Sequence, residues 1–320
     1  MPDFPIWPQC NIGCVFCSNP VAGYRDTADK YSYEEIRKKV FDYKRGLQTF
    51  VKFDEVRDYF NLTGGEPTLH PDFLKILALI RTEFPQNLIR LLSNGRTLAE
   101  EDFARRVCGI AGLPFEAAIP MFGGDAKSHE AISRAPGSFA ETTRGLRGLE
   151  KHRRPGQIVE IRVIMTKVQE RFLDGLIDAL LAEFSWVDRV VFLYEEIEGF
   201  AEMYKERLLI TQTESAAAID RNFEKLRRFK DFRLYHFSLC AVPTRLWPHV
   251  WRTLAGFKVT RLDACGACLY RDQCIGVHRS YAKHMGAPDI AAITAPRPVE
   301  LSGDSYHPIR EAHDPESSVR

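Results

Sequence analysis

The segment Gln9–Cys17 reads QCNIGCVFC and spaces three cysteines, Cys10, Cys14 and Cys17, as C-x3-C-x2-C. A loop with this spacing can wrap three thiolates around one corner of a cubane, and Gly13 gives the loop room to fold tightly. Most [4Fe–4S] clusters take four cysteines, so three cysteines leave one iron with an open coordination position. An open position on a metal admits a substrate or a cofactor. The segment therefore predicts a reactive [4Fe–4S] site.

Two other interpretations of these cysteines stay open, a zinc site and unrelated buried side chains. A structural zinc site takes four protein ligands. No further cysteine or histidine lies near the segment, and the closest histidine in the sequence is His70. We therefore rank both alternatives below the cluster.

The composition is that of an ordinary globular protein, with 320 residues, 45% hydrophobic and 27% charged side chains and a net charge of +1. A balanced charge gives no overall attraction to nucleic acid or to acidic membranes, so we expect neither as a partner. The N-terminus lacks the pattern of a signal peptide, and no apolar run reaches the roughly 18 residues of a membrane span. We expect a cytoplasmic protein, in which clustered cysteines bind metal more often than they form disulfides.

The middle of the chain alternates between strand-like and helix-like segments. Such alternation is typical of a parallel sheet with helices outside it. We count about six units, fewer than the eight of a closed barrel. The sequence thus predicts an α/β fold, a partial (β/α)6 TIM-like barrel with a small C-terminal cysteine-rich iron–sulfur extension. The strand-like segments are 59–63, 88–92, 116–120, 159–165 and 190–194, and the helix-like segments are 71–82, 138–152, 171–184 and 213–230.

The expected domain organisation has three parts. Residues 1–200 form the barrel, residues 201–294 form a helical linker and a cysteine-containing region, and residues 295–320 form a polar, flexible tail.

Three polar features follow the predicted strands. The segment Thr63–Pro67 reads TGGEP, in which paired glycines let a backbone approach a ligand closely and the glutamate can accept a hydrogen bond from an ammonium group. Ser93 and Asn94 end the next strand, where a plain turn is the alternative. Arg162 is an unusual charge inside a strand, where an outward-facing side chain is the alternative.

Taken together, these motifs resemble the radical S-adenosylmethionine (radical SAM) superfamily. The resemblance implies that the three cysteines hold a [4Fe–4S] cluster whose open iron binds the methionine part of S-adenosylmethionine. It also implies that Phe16 packs near the adenine, and that the turn of Gly64, Gly65 and Glu66 holds the amino group of the methionine. The remaining implied cofactor contacts are Ser93 and Asn94 to the ribose or carboxylate, and Arg162 to the carboxylate.

The resemblance also implies a reaction. An external electron donor such as a flavodoxin or ferredoxin reduces the cluster, S-adenosylmethionine is cleaved to a 5′-deoxyadenosyl radical, and the radical removes hydrogen from the substrate. The sequence assigns no residue that supplies or accepts a proton.

A second group of cysteines lies near the C-terminus, where Cys265, Cys268 and Cys274 follow C-x2-C-x5-C and Cys240 lies upstream. Four thiolates can close a second, auxiliary [4Fe–4S] cluster completely; a four-cysteine zinc site and a site without metal are the alternatives. This region resembles the SPASM/Twitch type of extension and, more loosely, the maturases of His-Xaa-Ser peptide systems. The eighth cysteine, Cys108, lies in a helical stretch and is expected in the core.

Three functions fit these features. The first is a radical SAM enzyme that modifies a peptide, of the oxidoreductase or maturase type, with a separate peptide-recognition protein as a possible partner. The second is a radical SAM enzyme that acts on a small biosynthetic metabolite or a larger protein. The third is a non-catalytic iron–sulfur protein for electron transfer or sensing, which the glycine turn disfavours because an electron carrier needs no cofactor-binding glycines.

Overall fold

The computed structural model describes residues 3–18, 29–47 and 59–313 of the chain. The chain divides into two compact units. Unit 1 comprises Met1–Cys14, Asn19–Arg162 and Trp186–Asp188, and unit 2 comprises Val15–Ser18, Val163–Ser185 and Arg189–Arg320.

Eight strands form one sheet, in which they follow one another in chain order. The strands are β1 (Asp3–Trp7), β2 (Tyr59–Gly64), β3 (Leu88–Leu92), β4 (Phe115–Pro120), β5 (Ile158–Met165), β6 (Arg189–Tyr194), β7 (Phe232–Tyr235) and β8 (Val250–Trp251). Neighbours from β1 to β5 pair in parallel, as do β6, β7 and β8. The predicted α/β fold with a parallel sheet is therefore confirmed. Three of the strands, β1, β7 and β8, lie outside the predicted strand segments.

The strands of unit 1 are short apolar runs that are buried on both faces, as parallel strands between helices are. In β4, Phe115 to Ile119 are all buried. The helices of this unit place one apolar stripe against the sheet; α5 buries Leu146 and Leu149 and leaves its charged residues outside. Cys108 is buried in α3, which confirms its predicted place in the core. The helices are α1 (Tyr33–Lys44), α2 (Phe73–Glu83), α3 (Glu101–Ala111), α4 (Ala126–Ser133) and α5 (Ser138–His152).

Unit 2 has its own apolar face on the sheet. Val191, Leu193 and Tyr235 pack together there, with Ile164 and Trp251 beside them. The helices of this unit are mostly short: α6 (Lys167–Glu170), α7 (Leu173–Glu183), α8 (Phe200–Met203), α9 (Lys205–Leu208), α10 (Gln212–Asp220), α11 (Phe223–Leu226) and α12 (Arg279–Met285).

Two antiparallel strand pairs complete unit 2. The first joins β9 (Val259–Thr260) to β10 (Val277–His278), and the second joins β11 (Val299–Leu301) to β12 (Ile309–Ala312). The second pair lies within the predicted C-terminal tail, of which residues 314–320 are outside the described residues. The three-part domain organisation stays a prediction.

Among the residues that the structure describes, no helix combines the length and the apolar character needed to cross a membrane.

Candidate functional site

The end of β2 lies directly against the residues that precede the first cysteine. The backbone N–H of Gly65 donates to the carbonyl of Trp7 at 2.8 Å, and that of Glu66 donates to the carbonyl of Gln9 at 2.7 Å. A Cβ atom at Gly64 would lie 2.1 Å from the Trp7 oxygen, one at Gly65 would lie 2.4 Å from the Gln9 oxygen, and Gly64 has a φ of +138°. The glycine pair is therefore required for the approach of the chain's own backbone.

The Glu66 carboxylate is fully buried and joins the ends of two strands. It accepts hydrogen bonds from the backbone of Thr68 at 3.0 Å, the Thr68 hydroxyl at 2.5 Å, the Ser93 hydroxyl at 2.8 Å and the backbone of Asn94 at 2.6 Å. Burial raises the pKa of Glu66, and these hydrogen bonds lower it. Its donors here all belong to the protein; its predicted contact with the ammonium group of the cofactor stays a prediction, as does the cofactor contact of Ser93.

Asn94 continues this network to the first cysteine. Its side-chain N–H donates to Asn11 Oδ1 at 2.7 Å and lies 3.8 Å from Cys10 Sγ. The guanidinium group of Arg96 donates to the Asn11 carbonyl, and its backbone N–H donates to Asn94 Oδ1 at 3.1 Å. The predicted site residues Glu66, Asn94 and Cys10 are thus brought together in unit 1.

The rest of the cysteine loop has contacts in both units. In unit 1, the backbone N–H of Gly13 donates to the carbonyl of Ser133 at 2.8 Å. In unit 2, the carbonyl of Cys17 accepts a hydrogen bond from the backbone of Phe200 at 2.8 Å. Gly199 has a φ of +59°, and a Cβ atom there would lie 2.6 Å from the Cys17 oxygen. The cysteine loop is therefore fixed by backbone hydrogen bonds, and the three cysteine side chains are half-buried.

Phe16 and Arg162 are the two remaining predicted cofactor contacts. Phe16 is half-buried in the segment Val15–Ser18 of unit 2. Arg162 lies in β5, and its guanidinium group donates to the fully buried carboxylate of Glu160 at 2.7 Å. Their roles toward a cofactor stay predictions.

The four C-terminal cysteines converge on one pocket in unit 2. Cys240 and Cys265 lie in 3-10 turns, and Cys268 and Cys274 lie in the loop before β10. Burial raises the pKa of Cys240 to about 11, and the nearby Cys274, Cys265 and Cys268 raise it as well. Residues that are up to 34 positions apart in the sequence therefore share one site.

One of these cysteines, Cys274, also receives backbone hydrogen bonds. The N–H groups of Leu239 and Gly276 each lie 3.4 Å from its sulfur atom. Burial raises the pKa of Cys274, while these two N–H groups lower it because they favour the thiolate. These two N–H groups therefore offset part of the effect of burial on this sulfur.

Comparison with known families identifies the part of the chain that carries the first cysteine site. The profile of the Radical SAM superfamily matches residues 4–180, which is more than half of the chain. The chain belongs to the radical SAM superfamily. Proteins of this superfamily use a [4Fe–4S] cluster and S-adenosylmethionine. The four C-terminal cysteines lie outside the matched residues.

Two curated relatives match parts of this radical SAM chain. Mycofactocin maturase MftC of Mycobacterium tuberculosis is 28% identical over 171 residues, which cover 52% of this chain and 37% of that protein. GTP 3′,8-cyclase of Edwardsiella ictaluri is 26% identical over 148 residues, which cover 43% of this chain and 38% of that protein. The chain thus matches well under half the length of these relatives.

A solved structure supports the fold. SuiB of Streptococcus suis, bound to S-adenosylmethionine, superimposes with a TM-score of 0.52 at 13% identity, over 72% of this chain and 50% of that chain. At this identity the likeness concerns the fold.

Sequence reasoning missed several residues that fix the cysteine loop of this radical SAM chain. Thr68, Arg96 and Ser133 all bond to the loop or to Glu66, yet none was a candidate. Thr68 and Arg96 each lie within two residues of a recognised motif, and that proximity is the signal that could have found them. Ser133 reaches Gly13 only through the tertiary fold and has no sequence signal.

A charged cluster surrounds Glu196 just after β6. Lys258 Nζ pairs with its carboxylate, His278 Nε2 lies 3.8 Å from one oxygen and His236 Nδ1 lies 4.0 Å from the other. The backbone N–H of Ser280 donates to His278 Nδ1 at 3.1 Å, so the neutral ring carries its proton on Nε2. Since that nitrogen is then a donor and a lysine already pairs with Glu196, the cluster is an ion-pair network and a poor metal site.

The neighbouring residue, Glu195, has the opposite environment. Its side chain is 2% exposed, and within the described part of the chain neither carboxylate oxygen has a hydrogen-bond partner. Burial raises the pKa of Glu195 well above its usual value. The pKa values of two adjacent carboxyl groups are therefore shifted in opposite directions: burial raises that of Glu195, whereas His236, Lys258 and His278 lower that of Glu196 despite its burial.

Proposed function

We propose that this radical SAM enzyme modifies a peptide and that it carries two [4Fe–4S] clusters, one held by Cys10, Cys14 and Cys17 and an auxiliary one held by the four C-terminal cysteines. The observation that carries the proposal is the convergence of those four cysteines on one pocket. A SPASM/Twitch-like extension of this kind is what the sequence resembles.

The residues around the first site suit an open cluster. When bound, the cluster and S-adenosylmethionine supply a radical that removes hydrogen from the substrate. Cys10, Cys14 and Cys17 offer three thiolates, and the Asn94 amide lies 3.8 Å from the Cys10 sulfur, where it can donate to a thiolate. The hydrogen bonds of Glu66 and Arg96 hold this loop in place before any cofactor binds.

The spacing of the C-terminal cysteines favours a cluster over zinc. In a tetrahedral zinc site with Zn–S bonds of about 2.3 Å, the sulfur atoms lie about 3.8 Å apart. Two groups of three possible metal ligands have their ligand atoms within 4.8 Å of one another in residues 3–18, 29–47 and 59–313. Both groups consist of carboxylates and imidazoles, and neither contains a cysteine sulfur. A cubane carries one thiolate on each of four irons and so spreads its ligands more widely.

The peptide substrate rests on weaker support than the clusters. The relative with 28% identity is named a maturase, whereas the relative with 26% identity is named a GTP cyclase, so a small metabolite is the second candidate. An electron donor such as a flavodoxin or ferredoxin and a separate peptide-recognition protein are proposed partners.

The radical chemistry is tested by anaerobic reconstitution with iron and sulfide, followed by dithionite and S-adenosylmethionine. We expect formation of 5′-deoxyadenosine, detected by liquid chromatography. Absence of this product at full iron occupancy would refute the proposed reaction. Incubation with short peptides encoded beside the gene, followed by mass spectrometry, then separates a peptide substrate from a metabolite.

Iron counting tests the second cluster. The reconstituted chain should hold about eight irons, four for each cluster, and a Cys10/Cys14/Cys17 triple alanine variant should keep about four. Zinc in the triple variant, or no metal at all, would contradict the auxiliary cluster.

A further inference from the structure

We propose that Arg261 and Arg271 are positioning residues of the auxiliary site: both offset the negative charge of a bound cluster, and Arg261 also holds the cysteine loop closed. The inference rests on the auxiliary cluster proposed above. It concerns the charge and rigidity of the pocket, which depend on residues other than the cysteines themselves.

Both arginines line the pocket together with the four cysteines. Neither guanidinium group has a carboxylate partner within 4.0 Å among the residues that the structure describes, whereas Arg90, Arg153 and Arg245 each pair with a carboxylate. Both arginines are exposed to solvent, and their positive charges lie beside a site made of thiols. Four thiolates around a [4Fe–4S] core carry a net negative charge, which unpaired guanidinium groups stabilise.

Arg261 has a second role that Arg271 lacks. Its Nη1 donates to the carbonyl of Arg271 at 2.8 Å, and its Nη2 lies 3.5 Å from the carbonyl of Cys274. The planar side chain of Arg261, directly after β9, therefore contacts both ends of the segment 271–274. This segment ends at the last of the four cysteines. A lysine at this position would keep the charge but could not make both contacts in a fixed geometry.

These two roles affect different measurable properties. The reduction potential of a cluster depends on the charge around it, since reduction adds one electron and a nearby positive charge favours the reduced form. Retention of the cluster depends on how firmly the loop holds its ligands. The effect of the positive charge and the effect of the loop contacts can therefore be separated with four variants.

The experiment uses the full chain in the Cys10/Cys14/Cys17 triple alanine background, so that only the auxiliary cluster is present. Arg271→Gln should move the midpoint potential to a more negative value and leave the iron content unchanged. Arg261→Lys should leave the potential in place and lose iron to a chelator several-fold faster. Arg261→Gln should show both effects. Potentials come from an anaerobic titration followed by electron paramagnetic resonance.

Arg252→Gln is the matched control. Arg252 donates to the carbonyl of Asp272 at 2.9 Å, in the same loop, but it does not line the pocket. We expect the potential of this variant to equal that of the parent. If Arg261→Gln and Arg271→Gln, each with a full cluster, keep the parental potential, or if Arg252→Gln shifts it equally, the charge role is wrong. If the triple alanine parent binds no iron, the auxiliary cluster itself is refuted, and this inference is refuted with it.

Discussion

At the scale of single residues, the buried carboxyl groups of Glu66 and Glu195 have opposite effects on the stability of the fold. Glu66 accepts four hydrogen bonds, and its burial is compensated by them. Glu195 is buried with no partner in the described chain, which costs free energy because a carboxyl group loses its hydration without replacement. Such a group is destabilising in the folded protein and is a candidate for contact with a ligand.

The first prediction concerns the pH dependence of stability at Glu195. Burial raises the pKa of this group in the folded chain, so between its unfolded and folded pKa the native state binds one more proton than the unfolded state. Stability therefore falls as pH rises through this window. Glu195→Gln removes the dependence, so its free energy of unfolding should gain on the wild type as pH rises through this window, by at most about 1.4 kcal/mol per pH unit.

Urea denaturation at pH 5, 6.5 and 8 measures this gain. Glu206→Gln, at an exposed carboxyl group of the same unit, is the control and should run parallel to the wild type at each pH. A gain for Glu195→Gln that is constant with pH would show that Glu195 is ionised in the folded chain.

A second residue-level prediction concerns the carboxylate that joins β2 and β3. Glu66→Gln places an amide N–H among four donors, so at least one buried donor loses its acceptor. We expect a loss of about 1–3 kcal/mol in the free energy of unfolding. A variant as stable as the wild type would mean that the Glu66 hydrogen bonds contribute nothing to the fold. The measurement is chemical denaturation of the iron-free protein under reducing conditions.

At the scale of elements, the glycine turn after β2 acts through the backbone. A Cβ atom at Gly64 or Gly65 would meet the carbonyl oxygens of residues 7–9. The cofactor contact of these glycines stays a prediction. A methyl group at Gly65 would meet rigid backbone atoms, which cannot move aside as a flexible side chain can.

The prediction that follows compares two glycines. Gly65→Ala should destabilise the chain by about 3 kcal/mol and reduce iron incorporation at the first site, because it pushes the cysteine loop away from β2. Gly175→Ala is the matched control, since it lies in α7 with no atom within 4 Å of its Cβ position and should be neutral or stabilising by up to about 1 kcal/mol. Thermal unfolding and iron analysis of both variants measure the two effects. Equal behaviour of the two variants would be evidence against the backbone role.

The helices also show which parts of the fold can be predicted from the sequence. Helix α5 was predicted at 138–152 and is found there, because its apolar residues recur at helical spacing. The helix-rich region predicted at 213–230 contains two helices, α10 and α11. The side chain of Asn222, between them, donates to Asp174 Oδ1 and to the carbonyl of Ala218, and this tertiary bond has no local signal. Periodicity predicts the elements, whereas contacts between distant segments decide their ends.

The candidate sites follow the same rule. The cysteines were found from their spacing, and their convergence on one pocket agrees with that interpretation. The hydrogen bonds of Arg96 to Asn11 and of Ser133 to Gly13 were not predicted, since they join segments that are 85 and 120 residues apart in the sequence. The candidate metal-binding cysteines can be predicted from the sequence, whereas the residues that position them cannot.

At the scale of the whole molecule, the two cysteine sites have different ligands and different described contacts. The contacts described for residues 9–13 come from Glu66, Asn94 and Ser133 of unit 1, whereas Cys17 and the pocket of the four C-terminal cysteines belong to unit 2. Since the two sites use different cysteines, we expect cleavage of S-adenosylmethionine to be separable from any role of the auxiliary site.

We therefore predict the behaviour of a chain with Cys240, Cys265, Cys268 and Cys274 all changed to alanine. It should bind about four irons and still form 5′-deoxyadenosine, within about threefold of the wild-type rate, because contributions of sites without shared partners are independent. The assay is the one described for the wild type, and circular dichroism provides the control for folding. Loss of cleavage in a folded variant with four irons would show that the sites are coupled.

The anchoring of the first cysteine loop has a further consequence, for the assembly of the enzyme. The amides of Gly65, Glu66 and Gly13 donate to carbonyl groups of the chain itself, so these hydrogen bonds need no metal as a partner. We therefore expect them to form in the iron-free chain as well, which would leave the loop little conformational entropy to lose when iron binds. In amide hydrogen–deuterium exchange, these three positions should exchange slowly both before and after cluster insertion. Oxidative loss of the cluster should then leave a protein that binds a new cluster without refolding.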